Sequence, residues 1–64
     1  MDVELMAKRV RAEFEEMPGM TLTMRQASRL FGIEGDVCRT VFERLVTMSY
    51  LKWTPSGAIT RVGR

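Results

Sequence analysis

The sequence predicts a mostly α-helical fold closed by a small β-hairpin: three helices, then two strands. Three observations carry this. Apolar residues recur at steps of three and four over residues 3–17, 24–31 and 36–48, which is one face of a helix each time. Breakers separate the segments, with Pro18-Gly19 after the first and Gly32 after the second. Last, the aromatic-rich run Tyr50-Leu51-Lys52-Trp53 leads into Thr54-Pro55-Ser56-Gly57, a strong turn signal.

The first helix, residues 3–17, carries Val3, Met6, Ala7, Val10, Phe14 and Met17 on one face, with Asp2 as its N-cap. Met20-Thr21-Leu22 is a short linker able to pair as a single strand. Thr23 and Gln26 then form a capping box, opening a helix over 24–31 with Ala27, Leu30 and Phe31 as buried candidates. A third helix spans 36–48, with Gly35 or Asp36 as N-cap. Val37, Cys38, Val41, Phe42, Leu45 and Met48 form its wide apolar stripe. Its opposite side carries Asp36, Thr40, Glu43 and Thr47, flanked by Arg39 and Arg44.

The hairpin spans 50–62. Proline suits the first central position of a type I turn, and glycine suits the left-handed residue after it in a three-residue loop. That loop pairs Thr54 with Ala58, Trp53 with Ile59 and Leu51 with Arg61. One apolar face results, Leu51, Trp53 and Ile59, with Lys52 and Thr60 on the other. The expected core joins Val10, Phe14, Ala27, Phe31, Ile33, Val37, Val41, Leu45, Leu51, Trp53 and Ile59.

Size and composition bound the rest. A chain of 64 residues is one domain, 1–64, and at this length it buries only about 60% of its unfolded surface. Apolar residues are 45% and charged residues 28%, the globular range. No apolar run approaches the roughly 20 residues of a membrane span, so no membrane partner is expected. Acids at positions 2 and 4 stand where a secretory signal would place bases, and the single cysteine fits a reducing compartment; both point to the cytoplasm. Charge is uneven. Residues 1–20 hold Lys8, Arg9 and Arg11 against Asp2, Glu4, Glu13, Glu15 and Glu16, a net of −2. Residues 50–64 hold Lys52, Arg61 and Arg64 with no acid, a net of +3. A basic end is either a footprint for a polyanion or a solvated tail.

Catalysis is poorly served. The chain has no histidine and one cysteine, so no triad, no imidazole base and no clustered metal ligands. No glycine-rich phosphate loop appears. The sequence reads as a binding module and not an enzyme, with neither cofactor nor metal. Cys38 falls on an apolar face, where inert packing is the ordinary outcome.

The run Leu22-Thr23-Met24-Arg25-Gln26-Ala27-Ser28-Arg29-Leu30-Phe31-Gly32-Ile33 resembles the first motif helix and turn of the winged helix-turn-helix superfamily, in its small bacterial form. Cys38 and Val41 sit where that family's second motif helix packs back on the first. Leu45, Leu51 and Trp53-Thr54-Pro55-Ser56-Gly57 look like the end of its recognition helix and its wing. The resemblance covers nearly the whole chain. Ser28 departs from it, standing where the family most often has alanine at the helix crossing; serine is nearly isosteric.

The resemblance implies a DNA-binding module, with helix 36–48 in the major groove, the wing on the backbone, and a role in transcription regulation. On that reading Arg25, in the first turn of its helix, meets a phosphate. Arg39 and Arg44 contact a guanine or phosphates, and Thr40 a thymine methyl. Lys52 and Arg61 reach phosphates from the wing, with Ser56 at its tip. Each has a plainer alternative. Arg25 can be solvated, Arg39 can pair with Glu43, and Arg61 can lie over the core. Asp36 and Glu43 count against DNA, because phosphates repel them. The alternative partner is another protein, docked on the Asp36/Glu43 face or on exposed Met20 and Met24. One module of this size buries about 600–1,000 Å² on DNA, which points to a homodimer or tandem sites.

Overall fold

The computed structural model describes residues 2–63; Met1 and the basic-tail residue Arg64 lie outside the described residues. Three helices and a three-stranded antiparallel sheet follow one another: α1 Val3–Glu16, β1 Thr21–Leu22, α2 Met24–Phe31, α3 Gly35–Thr47, β2 Leu51–Trp53 and β3 Ile59–Arg61. No described helix is long and apolar enough to cross a membrane.

Local chemistry sets the helix limits. Asp2 Oδ1 accepts from the amides of Glu4 and Leu5 at 3.0 and 3.3 Å, which starts α1. The capping box of α2 is complete: Gln26 N–H donates to Thr23 Oγ1 at 3.1 Å, and Thr23 N–H donates to Gln26 Oε1 at 3.0 Å. Gly32 stops α2 in a left-handed conformation, φ +66°. The Ser28 hydroxyl donates to the Ile33 carbonyl across the same turn. The serine at the helix crossing thus closes the α2–α3 turn as well as filling space. The N-cap of α3 is Glu34 and not Gly35 or Asp36, and its side chain makes no capping bond. Asp36 lies in the first turn, where a carboxylate complements the helix dipole.

The far end of α3 closes without glycine. Tyr50 N–H donates to the Leu45 carbonyl and Ser49 N–H to that of Val46, each at 2.9 Å. This is the two-bond Schellman ending, and Ser49 takes its left-handed position at φ +62°.

The hairpin has the expected register, Leu51 opposite Arg61, Lys52 opposite Thr60 and Trp53 opposite Ile59. Thr54 N–H donates to the Ala58 carbonyl at 2.8 Å and Gly57 takes φ +87°. Thr21 and Leu22 do form a strand. It pairs with β3, with Thr21 opposite Thr60 and Leu22 opposite Ile59, so the strand order is β1-β3-β2 and β3 is central.

One core joins all three helices and the sheet, and its largest fully buried side chains are Phe14, Phe42, Leu45, Leu51 and Ile59. Phe31 and Phe42 meet edge to face, centroids 6.5 Å apart. Several expected core residues stand differently. Trp53 is 37% exposed although it shares a strand and a face with the fully buried Leu51; it stands at the end of β2, next to the exposed turn. Leu30 is exposed, since Ala27 and Phe31 turn the buried face of α2 away from it. Met17 and Met48 are exposed at helix ends, and Val37 is half-buried at the margin of its stripe. Ala7, Cys38 and Phe42, which the sequence places on apolar helix faces, and Ala58 complete the core. Burial pushes the Cys38 thiol up, away from the reactive thiolate.

Candidate nucleic-acid interface

The candidate face begins with α2 and the exposed side of α3. Arg25 and Arg29 stand one turn apart on α2, both exposed. Neither pairs with a carboxylate among the described residues. The sequence reading passed over Arg29. Its signal was there: residues 21–33 contain two arginines at helical spacing and no acid.

On α3, Asp36, Arg39, Thr40, Glu43 and Thr47 are all exposed. They form a polar stripe opposite the buried Cys38, Val41, Phe42 and Leu45. Arg39 Nε donates to Glu43 Oε2 at 3.3 Å. The Thr40 hydroxyl donates to the Asp36 carbonyl at 3.0 Å, so its polar atom serves the helix.

Two predicted contact residues are drawn elsewhere. Arg44 reaches Glu4 of α1, Nη1 to Oε2, at 2.7 Å. Arg61 lies 3.8 Å from Glu15 and its guanidinium sits 5.6 Å over the Tyr50 ring. Both thus tie α1 to the rest of the fold. Tyr50 is the centre of the second tie. Its hydroxyl donates to Glu15 Oε2 at 2.6 Å, and Arg11 stacks on its ring at 4.9 Å. The Tyr50 hydrogen bond, with Arg61 and Arg11 adding charge against the opposing effect of burial, holds the Glu15 carboxyl below its usual range. Burial first, then the bond to Glu15, pushes the Tyr50 phenol up.

Lys52 is exposed on the outer face of the sheet, in one row with Thr60 and Thr21, and free of any ion pair among the described residues. Ser56, at the turn, has its hydroxyl 2.9 Å from that of Thr54. Met20 and Met24, the exposed docking residues of the protein-partner alternative, are half-buried against the core. Among the described residues no three of His, Cys, Asp or Glu converge.

Comparison with protein-family models, with curated proteins and with solved structures finds no match to this chain.

Proposed function

We propose that this domain binds duplex DNA as a non-enzymatic, cytoplasmic module of transcription regulation, with α3 in the major groove and the hairpin beside it on the backbone. The observation that carries the reading is the arrangement of charge. Outside α1, Arg44 and Arg61 are spent on ion pairs with that helix and Arg39 on one with Glu43, while Arg25, Arg29 and Lys52 remain exposed and without carboxylates among the described residues. The capped α2, the tight turn and the projecting polar stripe of α3 support it too, as does the resemblance to winged helix-turn-helix domains.

Anisotropy titration of a labelled random duplex at rising salt tests this. Affinity falls steeply with salt, because each neutralised phosphate releases a counterion. Arg25→Ala and Lys52→Ala each lower the slope of log affinity against log salt by about 0.9. Arg44→Ala leaves it unchanged, since Glu4 already holds that side chain. A folded domain that binds no duplex at low salt sinks the proposal.

A second reading, a protein-docking face, is favoured by the exposed carboxylates of Asp36 and Glu43 on α3. Asp36→Asn separates the two. It strengthens duplex binding if α3 faces phosphates, and it leaves duplex affinity near the detection floor while slowing association with a basic partner if α3 faces protein.

A further inference from the structure

We propose that Glu43 is a positioning residue that aims Arg39 at a guanine, an inference that rests on the DNA reading above. The contact between the two residues uses Nε of the guanidinium, 3.3 Å from Glu43 Oε2. Nε is the inner nitrogen. The terminal nitrogens form the fork that matches O6 and N7 of guanine, and they donate no hydrogen bond among the described residues. A guanidinium is planar, so holding Nε against a carboxylate one helical turn away narrows the directions open to the fork. Both side chains are more than half exposed, at 64% and 58%, so the fork is open to a ligand.

The neighbouring groups leave this fork as the outstanding donor. Arg44, the other arginine of α3, is held by Glu4. The Thr40 hydroxyl is turned onto the helix and is spent on the Asp36 carbonyl. Asp36 lies at the helix N-terminus, where the dipole favours its charge. Glu43 is the one acid of the stripe with a cation in hand, and its pairing answers the objection that an acid on this face only repels DNA. An exposed ion pair adds little to stability, so Glu43→Ala folds as the unaltered chain does; losing its negative charge acts on every duplex alike, so the guanine preference, and not total affinity, reads positioning. Arg39 also gains by having part of its side-chain freedom removed before the ligand arrives.

Selection from a duplex pool with randomised central positions, followed by competition titration of the selected and guanine-replaced duplexes, tests the assignment. The unaltered chain enriches a guanine at one position. Arg39→Lys loses that preference, because lysine lacks the fork. Glu43→Ala loses about tenfold of it while binding to unselected duplex holds or rises. Glu43→Gln, whose amide oxygen still accepts from Nε, recovers most of the preference. A Glu43→Ala variant that binds all duplexes better and keeps its guanine preference overturns the inference and leaves the DNA reading standing. So does selection of no guanine by the unaltered chain. A domain that binds no duplex removes the DNA reading and this inference with it.

Discussion

Ser49 and Gly57 occupy the same left-handed region at φ +62° and +87°, and the two positions predict opposite mutational effects. A side chain with a Cβ costs roughly 1–2 kcal/mol there. Glycine returns part of that gain as unfolded-state entropy. Ser49→Gly is therefore expected to stabilise the fold by about 0.5–1 kcal/mol, read as a higher urea midpoint; an unchanged or lower midpoint contradicts the strain assigned to Ser49. Gly57→Val puts a β-branched residue where the hairpin turn requires a positive φ. Its hairpin amide cross-peaks shift or vanish while those of α1 and α2 persist. If the hairpin peaks stay in place, the turn geometry is not as described.

At the scale of elements, the tie between α1 and the hairpin makes stability depend on pH. Tyr50 and Arg61 stabilise ionised Glu15, so its folded pKa lies below its unfolded one. That contribution is complete above the ordinary glutamate range and fades as pH falls through it to the folded value. Tyr50 has the reverse sign: its folded pKa is raised, so its contribution is present below the ordinary tyrosine range and is lost as pH rises towards the folded value. Tyr50→Phe removes the largest cause of the Glu15 shift. The gap in urea midpoint between the variant and the unaltered chain should narrow on acidification from pH 6 to pH 3. Parallel curves across that range would show that the 2.6 Å bond does not set the ionisation of Glu15.

The whole molecule has one core and little to spare. α1 supplies Ala7, Val10 and Phe14 to it, and the helix is held from outside by Glu4–Arg44 and by the Tyr50 cluster. Chains below about 40 residues seldom fold without help. Deleting residues 1–17 leaves a 47-residue remainder that has lost one wall of its core. That fragment is expected to give a far-ultraviolet circular dichroism spectrum of low helicity and no cooperative melt. A cooperative transition in the fragment would show that α2, α3 and the sheet are a folding unit by themselves.

What the residues determined alone was local. The caps at Asp2 and Thr23, the stop at Gly32 and the hairpin register from Leu51 to Arg61 each depend on a few neighbours and a fixed backbone geometry, so spacing and residue type suffice. The polar stripe of α3 was legible for the same reason, as was the Arg39–Glu43 pairing at four residues' distance. The left-handed Ser49 carried no signal, because nothing in its residue type asks for that conformation. Partners far apart in sequence were decided only by tertiary packing. β1 pairs with β3 and makes it the central strand, and only the packing beneath the sheet decides that Leu51 and Ile59 are covered on the hairpin's apolar face and Trp53 is not. Arg44 and Arg61 look like outward cations in the sequence. They face α1 in the fold, because Glu4 and Glu15, 40 and 46 residues earlier in the chain, are brought beside them. Helix periodicity tells which residues share a face. What stands opposite that face depends on how the elements cross, and so does the list of cations left free for a ligand.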